Sequence, residues 1–230
     1  MSIRVVTGLP GNGKGLWLAD RIHFLLARNK RWFKISGVLR PVYSNIEFSE
    51  SFWYKHKDYL RSIVDISEVK MIRGADVVLD ELGIDFDATR WADLDRGVKA
   101  WLFAHEHYGV EIYAAAQDFA QIDVAVRRLT TSLVYASKLF GSRRPHVTKP
   151  PVRRVWGIVA LTTIDRKDYT VPANEYDTSL NLLSTEFMMI RKRLTSIYNT
   201  LQEFVEPKPA PLKHIERLCE VCGFIHKRHI

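Results

Sequence analysis

At 230 residues, with 47% apolar side chains, the chain can bury one full-sized core, which excludes a second large domain. The formal charge of +8 points to a polyanionic partner or a membrane surface, because clustered Lys and Arg concentrate phosphate groups around them. Cys219 and Cys222 are the whole cysteine complement, which excludes a disulfide-supported core and points to a reducing compartment.

In chain order, the β-branched run from Ile3 to Thr7 stops at Gly8 and reads as a buried strand, too short for a secretory signal. Apolar residues then recur at helical spacing from Lys14 to Phe33. Val42-Tyr43-Ser44 reads as a short strand and Ser51 to Val64 as a helix rich in aromatic and basic residues. Asp76-Val77-Val78-Leu79-Asp80-Glu81 is a second buried strand ending in two acids, followed by a helix from Asp93 to His107 and a strand from Val110 to Ala116 that ends at Gln117. An amphipathic stretch from Phe119 to Leu129 leads into a strand from Ser132 to Phe140, and Val155 to Ile164 resumes strand character. No run approaches the ~18 consecutive apolar residues that a membrane span requires. Strands alternating with helical segments predict an α/β fold with a mainly parallel sheet covered on both faces.

Leu183 to Phe204 reads as a long amphipathic helix, closed by Pro207-Lys208-Pro209-Ala210-Pro211, a stiff extended linker. The predicted organisation is therefore an α/β domain over 1–205, a proline-rich linker over 206–212 and a basic tail over 213–230.

The segment Gly8-Leu9-Pro10-Gly11-Asn12-Gly13-Lys14 meets the pattern G-x-x-x-x-G-K between a predicted strand and a predicted helix. Its glycines let several backbone N–H groups converge on phosphate oxygens, the helix start adds partial positive charge, and Lys14 reaches the terminal phosphates. A dinucleotide fingerprint fails, because Leu16 stands where Gly or Ala is required. The residue after the lysine, Gly15, carries no hydroxyl for Mg²⁺, so either water fills that position with Asp80 holding the ion through it, or nucleotide binding is regulatory and hydrolysis weak. Asp80 emerges at the carboxyl end of its strand, and Glu81 beside it can polarise an attacking water. Gln117 ends its strand in the same way and is a candidate to touch the γ-phosphate or position water. Arg127, Arg128 and Arg90 are candidates for an arginine finger offered to a neighbouring subunit, with a solvated arginine face as the alternative.

These stretches, with His105-Glu106-His107-Tyr108-Gly109-Val110-Glu111-Ile112, Ala116-Gln117-Asp118-Phe119-Ala120-Gln121-Ile122-Asp123, Val126-Arg127-Arg128-Leu129 and Glu175-Tyr176-Asp177-Thr178-Ser179, stand in an order and spacing that resembles the zonula occludens toxin (Zot) family. That family's P-loop domain is shared with assembly ATPases of filamentous phages, and the resemblance runs from about Ile3 to Leu183. It implies a RecA-like P-loop NTPase of the additional-glutamate class that uses ATP and Mg²⁺, with Lys14, Asp80, Glu81 and Gln117 handling the nucleotide. It also implies a ring or other homo-oligomer, such as a hexamer, acting on phage DNA with coat or assembly proteins. The implied place is the cytoplasm of a bacterial host, peripheral at the inner membrane through a partner. Two alternatives stay open: a nucleotide-gated adaptor with little hydrolysis, and a nucleoside monophosphate kinase, since Gly11-Asn12-Gly13-Lys14-Gly15 also resembles the adenylate kinase loop.

Two basic features remain. Arg143, Arg144, Lys149, Arg153 and Arg154 cluster on a proline-broken loop that could follow a nucleic-acid backbone without reading sequence, or stand simply as a solvated loop. The tail carries Cys219 and Cys222 as C-x₂-C, then His226 and His229 as H-x₂-H, a donor set suited to tetrahedral Zn²⁺ although only three residues separate the pairs. A reduced cysteine pair, or a site completed by another subunit, is the alternative.

Overall fold

The computed structural model describes residues 2–141, 157–165, 182–189 and 225–226. Strand β1 (Ile3–Thr7) is followed by helix α1 (Lys14–Ser36), the short strands β2 (Val38–Leu39) and β3 (Val42–Ser44), helix α2 (Glu50–His56) and strand β4 (Leu60–Ser62). Next come β5 (Asp76–Leu79), α3 (Leu82–Asp85), α4 (Arg96–Ala104), β6 (Glu111–Ala116), α5 (Val124–Leu129), β7 (Thr130–Gly141), β8 (Gly157–Asp165), β9 (Leu182–Met189) and β10 (Ile225–His226). Single 3-10 turns at Ile66–Met71, Trp91–Asp93 and Phe119–Gln121 lie between them.

Eight strands form one sheet in the order β4-β3-β5-β6-β1-β7-β8-β9. From β4 to β7 every pairing is parallel, and β8 and β9 join antiparallel. Successive side chains point to opposite faces, so each apolar strand feeds two cores at once. Val5, Val77, Leu79, Ile112 and Ala114 pack on one face with Val98, Trp101 and Leu102 of α4, together with Phe86 and Phe119. Val6, Val78, Tyr113 and Ala115 pack on the other face against Leu18, Ile22, Leu25 and Leu26 of α1 and Phe52 of α2. Each fully buried aliphatic side chain contributes about 1.5–3 kcal/mol.

Helix α1 runs for 23 residues and ends where Gly37, at φ 70°, donates its N–H to the Phe33 carbonyl at 2.9 Å. A residue in the left-handed region is what closes a helix this way. The start of α5 is fixed by Asp123, whose carboxylate accepts from the Ala125 N–H at 2.7 Å, and the start of α4 by Asp95, which accepts from Gly97 and Val98.

Several elements differ from the sequence expectation. Where one helix is expected over Ser51 to Val64, α2 stops at His56 and the chain turns into β4, because Leu60 is fully buried beside Val42 and Ile63 goes to the opposite core. The helix expected over Asp93 to His107 is shortened to α4. The amphipathic stretch Phe119 to Leu129 divides into a 3-10 turn and α5. The long helix expected from Leu183 is contradicted in its described part, since Leu182–Met189 pairs with β8 from Ile158↔Met189 to Ile164↔Leu182. Leu, Met and Glu favour helices only weakly, and the open edge of β8 offers a full ladder of hydrogen bonds that outweighs this preference. Residues 190–204 lie outside the described residues.

At the amino ends of the parallel strands sits a buried polar cluster. Asp76, the first residue of β5, is completely buried; Arg28 donates to both its oxygens at 2.8 Å, Arg40 Nε to Oδ1 at 2.9 Å and Asn29 to Oδ2 at 2.7 Å. Burial opposes the charge on Arg28, but Asp76 and Glu111 outweigh it and hold the guanidinium pKa above its ordinary value. Arg40 also donates to the carbonyls of Gly109 and Ala75 at 3.0 Å each, so the cluster joins α1, β5 and the entry to β6.

Candidate nucleotide site

The site lies at the opposite ends of the same strands, where β1, β5 and β6 release the chain at their carboxyl ends. The loop between β1 and α1 needs its glycines for two physical reasons. Gly8, at φ 147°, passes so close to β7 that a Cβ there would lie 2.4 Å from the Ala136 carbonyl oxygen. Gly13, at φ 98°, would place a Cβ 2.7 Å from Val159 of β8. Both positions are closed to side chains by conformation and by space.

Gly13 also caps α1 without any side-chain hydrogen bond, and no acidic residue stands in the first turn. The amino end of a 23-residue helix, with its partial positive charge, therefore faces the loop unneutralised by its own side chains. Lys14 Nζ donates to the Gly8 carbonyl at 2.6 Å and the Leu9 carbonyl at 3.4 Å, leaving one of its three donors for a phosphate oxygen. Pro10, Gly11 and Asn12 complete the turn, where the Asn12 N–H donates to the Leu9 carbonyl at 3.1 Å. Gly15 and Leu16 come next as the first-turn residues of α1.

Across from the loop, β5 ends at Leu79 and the chain turns sharply through Asp80 and Glu81. Glu81 takes the left-handed conformation, φ 56° and ψ 46°, and is the one non-glycine among the described residues with positive φ. Asp80 Oδ1 accepts the Glu81 N–H at 3.0 Å. Asn45, just past β3, accepts the Asp80 N–H at 2.8 Å and donates to the Asp80 carbonyl at 2.9 Å. Gln117 Nε2 donates to both Glu81 carboxylate oxygens, at 3.2 and 3.3 Å. Thr7 in turn donates to the Gln117 carbonyl at 3.3 Å, tying the end of β1 to the end of β6.

Electrostatics place these groups in one field. Burial lowers the pKa of Lys14, with Glu81 and Asp80 partly opposing the shift. Asp80 is raised, first by burial and then by the Glu81 charge, against the Glu81 N–H and Lys14. A lysine and a carboxylate perturbed by burial and by each other are typical of a working site.

Beside Glu81 opens a cleft of about 360 Å³ lined by Glu81, Gly83, Ile84, Asp87, Arg90, Gln117 and Gln121. Arg90 thus lies on the acid side of the site. Arg127 and Arg128 lie elsewhere, in the last turn of α5, which ends at Leu129 just before Thr130, the partner of Ile3 at the start of β1. One strand length, roughly 13 Å, separates that level from the glycine loop. Arg143, Arg144, Lys149, Arg153 and Arg154, and with them Cys219, Cys222 and His229, lie outside the described residues; His226 is described only as a backbone partner of Val38 in β10.

The donor set bears on Mg²⁺. Among the described residues no group of three or more His, Cys, Asp or Glu is placed to hold a metal ion by itself. Asp80 has one oxygen engaged by the Glu81 N–H and one left for a metal-bound water. These residues fit an ion held mainly by phosphate oxygens and water, with Asp80 in outer contact, rather than a closed protein cage.

Sequence reasoning places Lys14, Asp80, Glu81 and Gln117 together, and the structure brings them together. It misses Asn45, whose only signal is its place one residue beyond a short strand.

The family model described as Zonular occludens toxin (Zot) matches residues 33–165, more than half of the chain. Among solved structures, the N-terminal domain of zonular occludens toxin from Neisseria meningitidis matches with a TM-score of 0.53 at 19% identity, covering 86% of this chain and 98% of that one. The genome packaging NTPase B204 from Sulfolobus turreted icosahedral virus 2 matches with a TM-score of 0.42 at 14% identity in complex with ATP-gammaS, over 63% of this chain and 77% of that one. In complex with AMP it matches at 0.45 and 13% identity, over 71% and 92%. No curated protein sequence matches. The first of these structural likenesses shows a shared fold, here a mixed and mostly parallel sheet with a core on each face.

Proposed function

The chain belongs to the zonular occludens toxin (Zot) family, and from that premise we propose that it binds and hydrolyses ATP as an oligomeric motor in virion morphogenesis, packaging or extruding DNA. The observation that carries the reading is the convergence of Lys14, Asp80, Glu81 and Gln117 at the carboxyl ends of three neighbouring parallel strands.

In this reading the loop from Gly8 to Lys14 and the uncapped start of α1 bind the phosphates. Mg²⁺, when bound, neutralises charge on the terminal phosphates. Asp80 orients the waters around it, and Glu81 polarises the attacking water or takes its proton. Gln117 holds Glu81 in place. The separation of Arg127 and Arg128 from their own glycine loop suits them to a neighbour's nucleotide rather than their own, whereas Arg90 stands near its own Glu81. Arg143, Arg144, Lys149, Arg153 and Arg154 would contact the DNA backbone, and Cys219, Cys222, His226 and His229 would hold Zn²⁺ in a basic docking tail. No described helix is long and apolar enough to cross a membrane, and the reading places the protein in a bacterial host's cytoplasm, reaching the inner membrane through a partner.

A second reading, a nucleotide-gated adaptor, is favoured by Gly15, which brings no hydroxyl to the metal, and by the engagement of both Glu81 oxygens with Gln117. Phosphate release from ATP and Mg²⁺, with and without single- and double-stranded DNA, separates the two. Release that rises with DNA and disappears in Glu81→Gln supports the motor; ATP binding without release in any condition sinks it and leaves the adaptor.

A further inference from the structure

Asn45 belongs to no motif, lies 35 positions before Asp80 and is exposed, yet its amide side chain meets that residue's backbone at both ends. It accepts the Asp80 N–H at 2.8 Å and donates to the Asp80 carbonyl at 2.9 Å. That is the pattern a neighbouring strand would supply. Strands β3 and β5 pair in parallel as far as Ser44↔Val78, and the Asn45 side chain adds one more rung after the backbone ladder stops.

The turn just beyond this rung gives it a purpose. Glu81 adopts a left-handed conformation, which is unfavourable for a non-glycine residue. Such a conformation persists only where the surroundings over-determine it. Three fixings surround it: Asn45 on the Asp80 peptide, Asp80 Oδ1 on the Glu81 N–H, and the Glu81 carbonyl accepting the Ile84 N–H at 2.9 Å in α3. Gln117 then meets a carboxylate whose backbone is already set. The two hydrogen bonds from Asn45 hold the Asp80 backbone against that strain.

We propose that Asn45 is a positioning residue for the reaction, a side-chain clamp that holds the Asp80–Glu81 turn and thereby aims Glu81 at the attacking water. The inference rests on the hydrolytic reading of the site in its catalytic part, while the clamp itself stands on geometry alone. Because Asn45 is exposed, its truncation removes the rung without opening the core.

The test is Asn45→Ala in the full chain, read in two ways. Steady-state hydrolysis is expected to show kcat lowered about ten-fold with KM and the affinity for a non-hydrolysable ATP analogue within about two-fold, since the loss falls on an interaction needed only in the transition state. A kcat unchanged within about two-fold, or KM and analogue affinity that worsen along with kcat, overturns the positioning role. Amide hydrogen exchange is the second reading and needs no turnover: the Glu81 and Ile84 amides are expected to exchange about ten-fold faster in the variant, with the α1 core amides unchanged. Exchange at Glu81 and Ile84 equal to that of the parent overturns the clamp. A parent protein without turnover would defeat the hydrolytic reading and the aiming role together, and exchange would still decide the clamp.

Discussion

Strand β5 carries an aspartate at each end, and the two have opposite fates. Asp76, at its start, is wrapped by Arg28, Arg40 and Asn29, so every lone pair that burial removes from water is replaced by a donor. Asp80, just past its end, meets one backbone N–H and an adjacent glutamate, and burial together with that neighbouring charge pushes its pKa up. The amino ends of the sheet are built to be satisfied, and the carboxyl ends are built with charge left over. A carboxylate satisfied for the fold and a perturbed one at the proposed site thus lie at the start and just past the end of the same four-residue strand, and residue type alone does not tell them apart.

The largest expected effect comes from the carboxyl end. Glu81→Gln keeps the size of the side chain and removes the proton acceptor, so turnover should fall about 10²- to 10⁴-fold while ATP binding and thermal stability stay near the parent values. Parallel titration of a fluorescent ATP analogue and a melting curve check that the loss is chemical. A variant that unfolds, or that keeps its turnover, breaks the division between the two ends.

Asp76→Ala should do the reverse. It strands Arg40 and Asn29 without their shared partner and leaves Arg28 with Glu111 alone; breaking a buried charge pair costs about 3–5 kcal/mol, read as a lower urea midpoint at unchanged slope. Where the variant is still folded, its affinity for nucleotide should match the parent, because the cluster lies a strand length from the glycine loop. Weakened nucleotide binding in folded protein would show that the two ends are coupled.

How much of this contrast is legible in the sequence depends on how local each signal is. Ile3–Thr7 and Val42–Ser44 are legible to the residue, because β-branched or aromatic runs bounded by turn residues carry their own message. Asp80 and Gln117 can be placed at the site because each comes after an apolar run and so must emerge at a strand's end. Their mutual contacts are not legible: the donation of Gln117 to Glu81 and the left-handed turn at Glu81 depend on how two separate strands align. Asp76 reads only as the start of a strand, since its partners come from α1 and from the segment after β2. The helix expected from Leu183 fails in its described part, up to Met189, for a related reason. Phe187 and Met189 stay exposed on β9, so what fixes that strand is the ladder to β8, a partner that composition does not announce.

The finest test of the contrast is the same conservative change made at both aspartates. In the folded state the pKa of Asp80 is raised above its unfolded value, so the folded protein holds that proton more tightly, and this contribution to stability is present below the unfolded pKa and lost as pH rises through the folded one. At neutral pH the charge on Asp80 is therefore a cost to folding. Asp80→Asn removes the charge, keeps an oxygen for the Glu81 N–H, and should stabilise the protein at pH 7. The gain should shrink as the pH is lowered toward the ordinary carboxylate range, because the parent's own aspartate then becomes neutral as well. Asp76→Asn should instead destabilise at pH 7, since Arg40 loses its counter-charge and Arg28 is left with Glu111 alone. Urea unfolding of both variants at pH 7 and near pH 4 measures the pair. Opposite signs at pH 7 would confirm that one strand carries a structural and a chemical carboxylate, whereas equal destabilisation would mean that Asp80 too is held for the fold.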